Sequence, residues 1–299
     1  MSTLLEVDEA VVEYRVPGRP TVRAVDGVSL GVARSEVVGL VGESGCGKSS
    51  LGRAIVGLNP LSSGAIRLDG RELRALGRRA RSREDRGVQM IFQDPYSSLN
   101  PRRTVARQLA DAIRAGGRRP TRDIVVGLLE SVGLPASAAS RFPHQFSGGQ
   151  RQRIAIARAL GVEPKVIVAD EPVSALDAST RAQVAALISE TATAQGAGVL
   201  MISHDLSGLR VIADRIAVMY FGRIVEVGPT EAVWGAPAHP YTRTLIGAIP
   251  QLGRDAPLPS AAPPRPIVSR AADPEGAELV DIGGGHLVAA EALREVEAA

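Results

Sequence analysis

Eight residues, Gly42-Glu43-Ser44-Gly45-Cys46-Gly47-Lys48-Ser49, fit the pattern G-x-x-x-x-G-K-[ST]. They follow a short apolar run over residues 37–42. They lead into SSLGRAIVGL, whose apolar residues recur at helical spacing. A strand before and a helix after is the context that the pattern requires. The glycines let backbone N–H groups converge on phosphate oxygens, and the helix that follows points its positive end at the same place. Lys48 is expected to reach the outer phosphates, and the Ser49 hydroxyl to ligate Mg²⁺. Residues Gly42, Glu43, Ser44, Gly45, Cys46, Gly47, Lys48, Ser49 and the adjacent Ser50 are therefore the expected nucleotide contacts, with the Cys46 side chain incidental. An accidental glycine-rich turn is the competing reading; the strand and helix in register argue against it.

The rest of the chain fits a sheet of parallel strands flanked by helices. Strand-like segments fall at residues 4–16, 22–32, 64–70, 87–93, 166–170 and 199–203, with a hairpin pair at 215–220 and 223–227 around Gly222. Helical spacing runs through 104–134, interrupted by GGRRP, and through 149–160 and 179–195. This alternation argues an α/β architecture. Of the 299 residues 44% are hydrophobic and only 3% aromatic, so the core rests on Val, Leu, Ile and Ala, which suit buried parallel strands. The Arg-rich stretch from Arg71 to Arg86 reads as a solvated helical arm. Residues 250–276 are rich in Pro and Ala and read as a linker; 278–299 reads as a small strand–helix appendage.

The net charge of +3 is too mild to imply nucleic acid as a partner. The single cysteine, Cys46, excludes an internal disulfide and fits a reducing compartment. The first residues carry early acids and no basic-then-apolar leader, and no apolar run approaches the length of a membrane span.

Two further motifs carry chemistry. Residues 166–171 (VIVADE) are a buried-strand run that delivers Asp170 to its C-terminal end, where sheets of this type bind ligands. Asp170 is expected to hold Mg²⁺ and Glu171 to accept a proton from an attacking water. Two acids at a strand end could also make a plain turn, and it is the phosphate loop beside them that favours the functional reading. Phe146-Ser147-Gly148-Gly149-Gln150 opens the helix RQRIAIARAL, so Ser147, Gly148, Gly149 and Gln150 form a second anion-ready turn. By itself that turn reads equally as an ordinary serine cap.

In order along the chain stand the phosphate loop, Gln93 after an apolar strand, SGGQ, the Asp170-Glu171 strand end, Ser174-Ala175-Leu176-Asp177 and His204. This order resembles an ATP-binding-cassette (ABC) ATPase over roughly residues 4–235. The resemblance implies an α/β P-loop NTPase fold with a parallel-sheet core, an antiparallel β subdomain, an α-helical subdomain at about 94–160 and a C-terminal extension. It implies ATP and Mg²⁺ as ligands. Gln93 would sense the metal and the membrane partner, His204 would sit near the γ-phosphate as a catalytic switch beside Glu171 and Lys48, and Asp177 would couple two sites of a dimer. Tyr14 matches the aromatic that stacks on adenine. Phe146 stands where Leu is more usual, a change expected to preserve binding because the serine and glycines make the contact.

A narrower resemblance is carried by FQDPYSSLNPR at 92–102, FPHQFSGGQRQRIAIARAL at 142–160, YFGRIVEVGP at 220–229 and AHPYTRTLIGAIP at 238–250. These are similar to the oligopeptide/dipeptide-import branch, and PYSSLNPR to its second ATPase subunit. The resemblance divides the chain into an ATPase domain at 1–235 and an extension at 236–299 with its His239-Pro240-Tyr241 motif. It implies two membrane-spanning permease subunits, a homologous second ATPase subunit and an external solute-binding protein as partners, and a place on the cytoplasmic face of the membrane. Many relatives carry a cysteine at the end of the extension, where this chain has Ala290; a cluster is thus not available and His286 is expected to be structural or at the surface. A soluble ABC ATPase outside transport is the alternative. The single cassette and the absence of a heptad run weigh against the translation and repair types, and the His-Pro-Tyr extension favours import.

Overall fold

The structure, a computed structural model, describes residues 3–15, 17–18, 20–77, 82, 85–94, 98–172, 178–249 and 278–297. The expected 174–177 loop, the 250–276 linker and part of PYSSLNPR lie outside the described residues.

Three fully buried strands form the centre: β3 (Val37–Val41), β7 (Val166–Asp170) and β8 (Gly198–Ile202). None alternates with polar residues, because both faces of the sheet are covered. The eight-stranded sheet runs β11-β12-β10-β9-β3-β8-β7-β6, where β6 is Val88–Ile91, β9 Arg215–Tyr220, β10 Arg223–Pro229, β11 Leu279–Asp281 and β12 Leu287–Ala289. Strands β6, β7, β8, β3 and β9 are mutually parallel. Beyond β9 the sheet turns antiparallel. The parallel core is thus as expected, and the sheet as a whole is mixed.

Side chains alternate between two cores. Val38 and Leu40 of β3 point into a cluster with Val168 and Ile202, beneath a four-stranded antiparallel sheet of order β2-β1-β4-β5. Here β1 is Thr3–Tyr14, β2 Val22–Ala33, β4 Ser63–Leu68 and β5 Arg71–Glu72. Val37 and Val41 point the other way, into the cluster that also holds the helical part. That part comprises α2 (Val105–Ala115), α3 (Arg122–Ser131) and α4 (Gly148–Leu160), with two short 3₁₀ turns between α3 and α4. Helix α1 (Lys48–Ile55) lies against the sheet at Gly52, where a Cβ would sit 2.7 Å from Ile202 Cδ1. Completing the second face are α5 (Ala178–Ala194) and α6 (Leu206–Ile212).

One expectation needs correction. The Arg-rich stretch does not form a helical arm among its described residues: Arg71–Glu72 is strand, 73–77 is irregular and Asp85–Gly87 is a single 3₁₀ turn. Leu73 is buried there while Arg71 and Arg74 are exposed, so one apolar anchor replaces a helical stripe. The strand–helix appendage expected at 278–299 is present, as two short strands and a helix. Its strands β11 and β12 continue the central sheet, Val288 pairing with Glu226 and Leu287 with Val227. Helices α7 (Thr230–Gly235), α8 (Pro240–Gly247) and α9 (Ala290–Glu297) pack around that added edge.

One buried carboxylate joins the two sheets. Asp26 of β2 accepts from Arg23 Nη1 at 3.0 Å and from Arg223 Nε of β10 at 2.9 Å, and its own N–H donates to Gly222 O at 2.9 Å. Burial works against this charge, but Arg223 and Arg23 outweigh it and hold the carboxyl below the usual carboxylate range. A depressed acid contributes stability that is fully present above its unfolded pKa of about 3.9 and is lost as pH falls toward the folded value. Asp26→Asn is expected to cost roughly 1–3 kcal/mol at neutral pH and to flatten the fall in stability below about pH 4. Urea midpoints measured across that range check both; parallel curves for variant and wild type would contradict the clamp.

Candidate active site

The phosphate loop leaves β3 at the point where the chain crosses to β8 on one side and β9 on the other. Such a switch point opens a crevice at the carboxyl ends of the strands. Two glycines make the loop's path possible. At Gly42 (φ 152°) a Cβ would stand 2.1 Å from Met219 O, and at Gly47 (φ 114°) 2.1 Å from Ala24 O. Side chains at either position would push the loop off both sheets. A hydrogen bond from Gly222 N–H to Cys46 O at 2.8 Å supports the loop further.

Lys48 is 4% exposed, and its ammonium donates to Gly42 O at 2.7 Å and Glu43 O at 2.8 Å. A buried ammonium held by two carbonyl dipoles is ready for a stronger acceptor such as phosphate. The Cys46 thiol, 3.7 Å from that ammonium, is buried and thereby pushed up, as expected of a packing residue. Helix α1 starts at Gly47 with no side chain capping it, so its first amides keep their donors for a ligand.

The Ser49 hydroxyl donates to Asp170 Oδ1 at 2.8 Å. Burial pushes the Asp170 carboxyl above its usual range; Glu171 adds to the rise, while Ser49, Arg53 and Lys48 oppose it. A hydroxyl paired with a buried carboxylate is an oxygen donor set that suits Mg²⁺. An uncapped helix start, a buried lysine and this pair fit a magnesium-bound nucleotide.

Glu171 sits at the end of β7 in a left-handed conformation, φ 44°, its N–H tied to Ile202 O at 3.0 Å. Such a backbone is strained for a residue with a side chain, and here it turns the carboxylate off the strand into the crevice edge. Gln93 Nε2 donates to Glu171 Oε2 at 3.3 Å, and His204 Nδ1 lies 3.5 Å from Glu171 Oε1. His204 rides the turn after β8, where Asp205 caps α6 by accepting from Gly208 N–H at 3.1 Å. Both oxygens of Glu171 thus face a residue expected from the sequence.

Tyr14 is exposed beside the start of α1. Its hydroxyl donates to Ser50 Oγ at 3.1 Å and accepts from Asn59 Nδ2 at 2.7 Å. The structure brings together the loop, Asp170, Glu171, Gln93 and His204, but not the SGGQ turn. Ser147 and Gln150 bond each other, Ser147 Oγ accepting from Gln150 N–H at 3.3 Å and Gln150 Oε1 from Ser147 N–H at 3.1 Å. Both are exposed. Phe146 is buried under the Arg141 guanidinium, 4.3 Å from its ring centroid, so the unusual residue points into the helical core.

Sequence reasoning assigned no site role to Tyr241 or Gly222, yet both bond the phosphate loop. No local signal marks Gly222; Tyr241 stands in a quoted motif whose purpose the motif does not reveal. Gly47→Ala is expected to cost roughly 1–3 kcal/mol from backbone strain alone and to abolish nucleotide binding. Thermal unfolding and nucleotide titration check this, and an unchanged melting point with unchanged affinity would contradict the close approach.

Comparison with known proteins gives the family. The ABC transporter family pattern matches residues 25–174, and that of the oligopeptide/dipeptide transporter C-terminal region matches 225–276. The chain is 44% identical over 300 residues to the oligopeptide transport ATP-binding protein OppF of Bacillus subtilis (strain 168), covering 95% of each. It is 44% identical over 264 residues to a putative peptide import ATP-binding protein of Brucella abortus (strain 2308), covering 85% of this chain and 79% of the relative. A dimeric ATP-binding cassette solved in a post-hydrolysis state with ADP and Pi superposes with a TM-score of 0.65 at 26% identity, covering 76% of this chain and 99% of that one. The chain belongs to the ABC transporter family, with the C-terminal region found in its oligopeptide/dipeptide members.

Proposed function

We propose that this chain is the ATP-hydrolysing subunit of an importer for oligopeptides, dipeptides or a related small solute. The observation that carries the reading is the division of the phosphate-binding parts. Lysine, magnesium donors and base meet at one sheet edge, while the SGGQ turn of the same chain faces solvent elsewhere. A second copy or a homologous subunit, placed head to tail, supplies the missing turn: Ser147, Gly148, Gly149 and Gln150 of one chain close over the nucleotide of the other.

Each residue then has a task. The Gly42–Ser49 loop wraps the phosphates, and Lys48 exchanges its carbonyl partners for the β- and γ-phosphates. Ser49, Asp170 and Gln93 would hold Mg²⁺, which when bound neutralises phosphate charge. Glu171 takes the proton of the attacking water as its oxygen bonds the γ-phosphorus and ADP leaves. Gln93 and His204 keep both Glu171 oxygens oriented. Ser50 positions Tyr14, whose exposed ring faces adenine.

None of the described helices is long and apolar enough to cross a membrane. The match to the oligopeptide/dipeptide transporter C-terminal region supports partners that take up the work of hydrolysis: two permease subunits, met from the cytoplasmic face, with a solute-binding protein outside. A cleft of about 540 Å³ between the sheet edge and the helical part, lined by exposed Leu58 and Leu76 and by Phe92 beside Gln93, is the surface we assign to the permease. The 1–235 and 236–299 division remains our reading of the chain's two functional parts. A soluble ABC ATPase outside transport has no observation in its favour, and the match to the transporter C-terminal region weighs against it.

Glu171→Gln is expected to bind ATP with near wild-type affinity and to lower single-turnover hydrolysis by about 10²–10⁴-fold. Near-normal turnover would remove Glu171 as the base. Lys48→Ala is expected to lose ATP binding with the fold retained. Native ATP titration and circular dichroism check this second outcome, and wild-type affinity in the variant would overturn the lysine's role.

A further inference from the structure

One peptide unit of the phosphate loop is held at both ends. The carbonyl of the Gly42–Glu43 peptide accepts from Lys48 Nζ at 2.7 Å, and its N–H donates to the Tyr241 hydroxyl at 2.9 Å. A trans peptide is rigid, with N–H and C=O pointing in opposite directions. Fixing the N–H toward Tyr241 therefore aims the carbonyl at the Lys48 ammonium.

Tyr241 does not belong to the loop's own neighbourhood in sequence. It sits in the first turn of α8, is 2% exposed and lies ring to ring with Tyr220 of β9, centroids 4.0 Å apart. Burial pushes its phenol well above the usual range, so the hydroxyl stays neutral. A second buried network sets its position. Glu226 of β10 is fully buried; its Oε1 accepts from Ala238 N–H at 2.8 Å and lies 2.7 Å from His286 Nε2, and its Oε2 accepts from His239 N–H at 2.9 Å. A carboxylate in such a place requires filled oxygens. His239 Nδ1 in turn accepts from Tyr241 N–H at 3.1 Å. His286 comes from the returning tail and packs on Gly228, where a Cβ would stand 3.0 Å from its ring. Leu245, Ala248 and Ile249, in and just after α8, also wall the cavity beside Gly42 and His204.

We propose that Tyr241 is a positioning residue for the phosphate loop, and that the C-terminal extension is a brace which orients the Gly42–Glu43 peptide and through it Lys48. This rests on the ATP-site reading above. The chain of contacts runs from His286 through Glu226 and His239 to Tyr241 and Glu43. The tail thereby stiffens the site from behind without touching nucleotide.

The test uses the full chain. Tyr241→Phe keeps the ring and removes only the hydroxyl. Thr242→Val is the control, since Thr242 Oγ1 is buried with no hydrogen-bond partner and its loss leaves nothing unpaired. For Tyr241→Phe, amide hydrogen exchange at Glu43 is expected to quicken and ATP affinity to fall by roughly three- to tenfold. Thr242→Val is expected to change neither. A Glu43 amide exchanging at the wild-type rate in Tyr241→Phe would overturn the brace, as would ATP affinity within about twofold of wild type. Equal losses in Thr242→Val would overturn it too, because packing and not the hydroxyl would then be responsible. Failure of the wild type itself to bind ATP would instead refute the ATP-site reading, and Glu43 exchange in Tyr241→Phe would still decide the brace.

Discussion

A loop of backbone amides offers itself to phosphate only while it is kept from folding onto itself. Here the restraint is the contact between the phosphate loop and the strands around it. Gly47 lies against Ala24 O of β2, Gly42 against Met219 O of β9, and Cys46 O accepts from Gly222 N–H in the β9–β10 turn. Both sheets therefore converge on eight residues. The Asp26 clamp between Arg23 and Arg223 holds that convergence, since Asp26 N–H donates to the same Gly222 whose N–H supports the loop. Remove the convergence and the helix α1 amides lose their direction.

Electrostatics of the site follows from burial. Lys48 is almost wholly buried with only carbonyl partners, and Asp170 is pushed toward its neutral form. Burying each charge costs free energy, and the opposite charge of a magnesium nucleotide would relieve it. The strained backbone of Glu171 belongs with this group: the site stores unfavourable terms that a ligand offsets. The cost is borne by a sheet whose central strands are fully buried, and therefore stiff enough to hold it.

Much of this was legible in the residues. The central strands announce themselves as short apolar runs rich in Val, Ile and Leu, and the phosphate loop, the Asp170–Glu171 end and the SGGQ cap each carry a local signature. Helices α2 and α3 were readable as one amphipathic stretch with a break at GGRRP. What the residues alone left open shares a cause. The Arg-rich stretch has helical composition, yet its fate depends on where Leu73 finds apolar neighbours. The tail strands β11 and β12 are three residues each, too short for periodicity to show. Their place is set by the open edge of β10, some sixty residues earlier in the chain.

The chemistry is written in short stretches of residues: a lysine and a hydroxyl at the end of a glycine loop, two acids at a strand end, and a helix cap ready for an anion. These are short-range patterns, and short-range sterics and hydrogen bonding decide them. Which of them meet depends on the packed fold. Glu171 faces Gln93 and His204 because three parallel strands end at one edge, and SGGQ stands apart because its helix belongs to another layer. Only the fold shows that Tyr241, 198 residues from Glu43, bonds the loop. Hydrogen bonds across such separations depend on how strands are ordered in a sheet, and strand order is a property of the whole packed chain.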